Sequence, residues 1–311
     1  MAVIEALVTE RDHSPRNPSR GEPPKIFPRV MHFHRGIIYE AYRVTPENRE
    51  YLRNLVYPFE EQFGYPSTFL LHQKVIKYIQ DGAEVVRAVK PRTFFRSART
   101  VGVITQDIKR VNVGAERWKV LSRGIRVVLP GFRRQGIGTH LSDEGIVRHD
   151  PEIVTADTRV YSIIDMYQRS GFIRAVAPFD TELTDEMREA LRGILDKTTR
   201  IDLETGLRYK IFPPSDYSKG DLERFIPPKK NQRGVANYKR MLEIGADPLA
   251  GSAIRYAALG DHAAVQAARD RGWFAAQQLF KYTTESALRE VTRKVTSRVA
   301  NLWRSRLGRP S

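Results

Sequence analysis

"VLPGFRRQGIG", residues 128–138, is the stretch on which the reading of the chain turns. A β-branched run stops at Pro130, Arg133 and Arg134 follow, and Gly136 and Gly138 stand one residue apart where the next helical pattern begins. A helix N-terminus presents unpaired N–H groups and the positive end of the helix dipole. Glycine lets an oxygen come close to that backbone, and arginine chelates phosphate oxygens at two points. The stretch therefore reads as a pyrophosphate cradle, against the plainer reading of a basic strand-to-helix turn. It is not a Walker loop, because no Gly-Lys-Ser/Thr occurs in the chain, and it lacks the third glycine of a dinucleotide fingerprint.

Upstream, "GIIYEAYRV" (36–44) alternates as a strand, and Thr45 and Pro46 open a helix with Leu52, Leu55, Val56 and Phe59 on one face. A second helix is expected over 67–79. The period then changes, and 84–89, 100–113 and 116–129 read as three successive strands of an antiparallel meander. Downstream come a helix (136–148), a strand (152–157), a helix (161–169) and a strand (173–179). A helix capped by Thr184 follows, then a hairpin over 200–212. This order predicts an α+β fold with a mixed, mostly antiparallel sheet flanked by helices.

Twenty-nine residues beyond Gly138, Tyr167 lies in a helix that Gly171 and Phe172 close into a strand. With these two stretches the chain resembles the GNAT superfamily of acetyl-coenzyme A dependent N-acetyltransferases over roughly residues 36–212. The family's V-x-P-x-x-R-x-x-G-x-G loop is matched by Val128, Pro130, Arg133, Gly136 and Gly138. Its Tyr ahead of Gly-Phe is matched by Tyr167, Gly171 and Phe172. The resemblance implies acetyl-CoA, or another acyl-CoA, as cosubstrate. It implies that the backbone of Val127, Val128 and Leu129 meets the pantetheine arm and that the amides from Arg134 through Gln135, Gly136, Ile137 and Gly138 to Thr139 hold the pyrophosphate. It also implies that Tyr167 protonates the leaving thiolate, in direct attack by a primary amine within a ternary complex. A core aromatic packed with Ile163 and Ile164 is the competing reading of Tyr167.

Two departures from the family's pattern stand out. Many members carry Asn seven residues before the Tyr; Val160 stands there, leaving that pantetheine contact to Ser162 or to nothing. Residues 117–142 hold no carboxylate, so the family's usual base within that strand is missing. Glu116, a candidate catalytic residue beside Tyr167, Asp107, His140 and a water relay are the remaining routes for the amine's proton. A chain that binds coenzyme A without chemistry is the alternative that this gap leaves open.

The chain has 311 residues, no cysteine and a formal net charge of +16. Disulfides, thiolate catalysis and cysteine-bound zinc are excluded, and an anionic partner is favoured. With no apolar run long enough to cross a membrane and no secretory leader, a cytoplasmic protein is expected. His32 and His34 share a face of an extended segment but have no third ligand, so they read as surface histidines and no metal is expected. Three segments follow: a flexible basic arm (1–30), the acyltransferase domain (31–215), and a basic linker with an Ala-rich helical C-terminal domain (216–311). Lys229, Lys230, Arg233, Arg293, Lys294 and Arg298, with Tyr209, Phe212, Tyr217 and Phe225 interleaved near the linker, suit nucleic acid or another polyanion. The terminal amphipathic helix equally suits the chain's own core or a second copy in a homodimer. A non-catalytic module that binds nucleic acid or an assembly remains the rival of the enzyme.

Overall fold

A computed structural model describes residues 30–56, 58–59, 79–91, 98–195, 201–208, 225–247 and 252–273. In chain order the strands are β1 (Val30–His34), β2 (Ile37–Arg43), β3 (Glu84–Lys90), β4 (Arg99–Val113), β5 (Glu116–Val128), β6 (Ile153–Thr158), β7 (Ile173–Ala177), β8 (Leu207–Arg208) and β9 (Ala253–Gly260). The helices are α1 (Arg49–Val56), α2 (Ile137–His149), α3 (Tyr161–Gln168), α4 (Asp185–Ile194), α5 (Gln232–Glu243) and α6 (His262–Asp270). The strands form one sheet in the order β1-β2-β3-β4-β5-β6-β9-β7, with β8 also on β9. Among the described residues every pairing is antiparallel except β5 with β6.

The alternation read from the sequence sets the two faces. On one side α1 covers Val85, Val103, Ile125 and Val127, and α4 covers Val111, Val113, Val120 and Ile153. On the other, Ile137 and Leu141 of α2 cover Val86, Ala88, Val101 and Ile104, and α3 covers Leu121, Val154, Tyr256 and Ala258. Gly114 (φ 56) opens the two-residue turn that joins β4 to β5. Thr184 caps α4 as its sequence promised, accepting from Met187 N–H at 3.4 Å.

Three expectations are corrected. The segment expected as linker and helical domain (216–311) is not all helical, because Ala253–Gly260 is β9, lying between β6 and β7. Alanine favours helix, but here the pairing of both edges and burial of both faces decide. The sheet therefore crosses the boundary set at 215/216, and Met241 and Ala246 join the same core as Tyr167. Of the expected 200–212 hairpin, Leu207 and Arg208 form a short strand against β9. Val30–His34, partly assigned to the arm, is a strand on β2. The expected helix at 67–79 falls largely outside the described residues.

The C-terminal strand is fastened by charge as well as by backbone. Asp157 of β6 accepts from Arg255 of β9 at 2.8 Å through two bonds and pairs with Arg208 of β8. At Gly260 a Cβ would lie 2.1 Å from the Pro151 carbonyl oxygen, so only glycine lets β9 end against that loop.

Candidate active site

A break in the one parallel pairing makes the site. β5 and β6 pair only from Val120↔Ile153 to Ser122↔Thr155, although β5 runs on to Val128. Immediately past this point β5 carries an extra residue: Gln106 pairs with Arg123, but Ile104 pairs with Arg126. Ile125 N–H, displaced from the ladder, donates instead to Thr105 Oγ1 at 2.8 Å. Such a bulge bends its strand and inverts the side-chain alternation beyond it. A cleft opens between β5 and β6, and Arg123 and Arg126 point to the same face although three apart.

The stretch 128–138 crosses the end of this cleft. Pro130–Phe132 form a short 3-10 turn, and Arg134 (φ 64) and Gly136 (φ 79) are both left-handed. No side chain caps α2, whose first backbone bond runs from His140 N–H to Gly136 O, so the N–H groups of Ile137, Gly138 and Thr139 precede any intrahelical acceptor. Nothing lies within 4 Å of the position a Gly136 Cβ would take. The loop therefore offers bare, positively polarised amides beside the cleft. Arg133 turns back, its Nε donating to Val128 O at 3.1 Å, so that contact holds the loop onto the strand instead of reaching outward. Gln135 likewise donates to Gly131 O. Leu129 N–H is already bonded to Val101 O; by strand alternation Val127 faces β4 too, leaving Val128 as the position of the three that faces the cleft edge.

Tyr167 is 1% exposed and interacts with Ser142, which stands one helical turn past Gly138 on α2. Its surroundings come from four elements. Arg126 of β5 donates to Ser142 Oγ of α2 at 2.8 Å and reaches the sulfur of Met166 on α3. Arg123 donates to the Ser142 carbonyl and to Gln106 of β4. Tyr256 of β9 stands with its ring centroid 5.2 Å from that of Tyr167. Burial alone would raise the Tyr167 phenol; the two guanidiniums and the Tyr256 and Ser142 hydroxyls outweigh it and hold the phenol below the ordinary tyrosine value. Tyr256 is pushed the other way by burial and by Tyr167. The core-aromatic reading of Tyr167 is thus half right: it packs with Ile164, but its hydroxyl sits among cations and donors.

On the opposite face a polar band separates the clusters under α1 and α4. Asp107, Ser122 and Thr155 form one cross-strand row at the point where β5 and β6 part. Asp107 is half-buried, and no hydrogen bond or ion pair to its carboxylate is found among the described residues. Glu116 is corrected as a catalytic candidate. It lies at the β4–β5 turn, bonded to Trp118 Nε1, about 20 Å along β5 from the row at Ser122 and about 40 Å from the loop. His140 is also spoken for, stacked on His34 with centroids 4.1 Å apart and on Trp273 at 5.1 Å. The same stack corrects His34 as a surface histidine; burial lowers its pKa.

Ser162 is exposed in the first turn of α3, a helix with no side-chain cap. Lys229, Lys230 and Arg233 are exposed around the start of α5, whereas Arg293, Lys294 and Arg298 lie outside the described residues, as do Tyr209, Phe212 and Tyr217. Phe225, expected to stack on bases, is buried under the Arg159 guanidinium at 4.9 Å. Sequence reasoning missed Arg123, Arg126, Ser142 and Tyr256. One signal was there for the first two: an isolated glycine inside a strand, in "SRGIR" (122–126), marks a bulge.

No family model matches the chain, and no curated protein matches it. Among solved structures it is similar to NAA60 of Arabidopsis thaliana in complex with a bisubstrate analogue, at 16% identity and TM-score 0.32 over 44% of this chain and 87% of that one. It is similar to an IAA acetyltransferase from Bacillus cereus ATCC 14579 at 13% identity and TM-score 0.30, covering 49% and 91%. A GNAT family acetyltransferase of Staphylococcus aureus gives 18% and 0.29, covering 40% and 87%. At this identity and overlap the matches carry no argument for function, which rests on the cleft, the loop and the buried hydroxyls.

Proposed function

We propose that the chain is a coenzyme A-dependent N-acyltransferase, as its resemblance to the GNAT superfamily implies. The observation that carries this reading is the uncapped α2 N-terminus, with left-handed Arg134 and Gly136, at the end of a cleft whose edge is an unpaired stretch of β5. A diphosphate is bound by the amides of residues 134–139, with Arg134 as the nearby positive charge. The pantetheine arm follows as an added strand along β5 at Val128. This brings the thioester toward the splay point, between Tyr167 on one face and the Asp107–Ser122–Thr155 row on the other. Asp107 holds the ammonium of the acceptor; Tyr167 supplies the proton that the departing thiolate takes up, closing the reaction R–NH2 + acyl–S–CoA → R–NH–acyl + HS–CoA.

The exposed Lys229, Lys230 and Arg233 favour an acceptor carried on or near a polyanion such as nucleic acid, held by charge without the stacking that buried Phe225 could have provided. The test is incubation with labelled acetyl-coenzyme A and a panel of tRNA, DNA, peptides and polyamines. Label on an amine of one class establishes the activity and names the acceptor. Binding of the cofactor without transfer to any of them moves the chain to the non-catalytic reading, which the lack of a carboxylate over residues 117–142 favours.

A further inference from the structure

The β5 bulge does more than open the cleft. In a regular strand Arg123 and Arg126 would face opposite sides of the sheet, and one buried guanidinium would be lost in the packing of α1. The extra residue places both on the α2–α3 face, where they converge on Ser142: Arg123 on its carbonyl, Arg126 on its hydroxyl. The groups facing the Tyr167 hydroxyl are then Arg123 and Arg126 from β5, Ser142 from α2 and Tyr256 from β9. Asp143 of α2 faces the same guanidiniums, accepts from Ser170 Oγ at 2.9 Å, and is pushed up to about 6 by burial. Gln106 fixes the far side of Arg123. The Ser142 hydroxyl accepts from Arg126 and donates to Gly138 O at 3.1 Å, so the two guanidiniums and the Tyr256 hydroxyl are what gather around this one buried oxygen to stabilise an anion on it.

We propose that Arg123, Arg126 and Tyr256 form a cradle for a tyrosinate at Tyr167, so that this one oxygen accepts the proton of the attacking nitrogen and delivers it to the leaving sulfur. The proposal rests on the acyl-transfer reading and answers the absence of a carboxylate over residues 117–142. The ammonium held at Asp107 gives its first proton to solvent, and the amine attacks neutral. Its lone pair forms the C–N bond, leaving a positively charged nitrogen and an oxyanion on the tetrahedral carbon. The Tyr167 oxygen takes one N–H proton; the oxyanion collapses, the C–S bond breaks, and the sulfur takes the proton from Tyr167. The tyrosinate is restored and the charges balance. Arg123, Arg126 and Tyr256 touch neither substrate nor cofactor and act as positioning residues through Tyr167.

Ultraviolet titration of tyrosinate in the full chain tests this, taking the difference between wild type and Tyr167→Phe. The expected difference is one phenol ionising below the ordinary tyrosine range, moved upward by a pH unit or more in Arg126→Met and largely restored in Arg126→Lys. With an acceptor in hand, kcat/KM should fall as pH drops through that phenol's ionisation, and this acid limb should shift upward in Arg126→Met. A Tyr167 that ionises at or above the ordinary range in wild type overturns the proposal, and so does an Arg126→Met protein with an unmoved ionisation. A low ionisation in a protein that transfers no acyl group would uphold the cradle and defeat the enzymatic reading instead.

Discussion

At Tyr167 the chemistry and the packing compete for the same ring. Its side chain is core, but its hydroxyl is held among two guanidiniums and two other hydroxyls. Tyr167→Phe keeps the packing and removes the oxygen. Turnover should fall roughly tenfold or more, with coenzyme A affinity nearly unchanged, as expected for loss of one acid–base group; steady-state kinetics beside a binding titration separate the two. Equal turnover would remove Tyr167 from the mechanism. The loop, the Tyr-Gly-Phe pair and their spacing were legible in the sequence because short-range motifs specify backbone chemistry locally. Arg123, Arg126 and Tyr256 were not, since what brings them together is a bulge and a strand far off in the chain.

Helix α2 does two tasks that pull on its composition. Its N-terminus must stay bare for an anion, yet its middle buries Glu144, which is 1% exposed, against the sheet. Burial pushes the Glu144 carboxyl up to about 7, against the pull of Arg148 at 3.1 Å; Glu84, whose own carboxyl is kept near 2 by His149 and Arg148 despite burial, adds to the rise. The sign follows from linkage. A carboxyl raised on folding contributes stability below its ordinary value near 4.5, and this is lost as pH rises toward 7. Glu144→Gln should therefore melt above wild type at pH 8, with the gap closing by pH 5; each kcal/mol corresponds to about 2–4 °C in a domain of this size. A variant that melts below wild type at pH 8 would show that the Arg148 pair outweighs the burial cost. Of the elements, β2 to β7 with α1 to α4 were readable from periodicity and caps. β9 was not: "AIRYAALG" is helix-prone by propensity and becomes a strand through the partners it finds on both edges.

For the whole molecule, the sheet is closed by residues that the sequence alone placed in a separate domain. β9 separates β6 from β7, Asp157 is paired to Arg208 and Arg255, and Met241, Ala246 and Val265 sit in the core with Tyr167. A fragment of residues 31–215 would leave β6 and β7 without their shared neighbour and a buried aspartate without Arg255. It should show no cooperative thermal transition by circular dichroism, whereas the full chain should; a cooperative melt of the fragment would restore the two-domain reading. The central claim remains the anion seat at the start of α2, and calorimetric titration of coenzyme A into wild type and Gly136→Asp tests it most directly. Aspartate tolerates the left-handed backbone better than most residues, so the fold should survive while a carboxylate meets the diphosphate. The account predicts saturable binding to wild type and affinity lower by roughly a hundredfold or more in the variant, from lost amide contacts and like-charge repulsion. Equal affinity in the two proteins, or no binding to either, would contradict it.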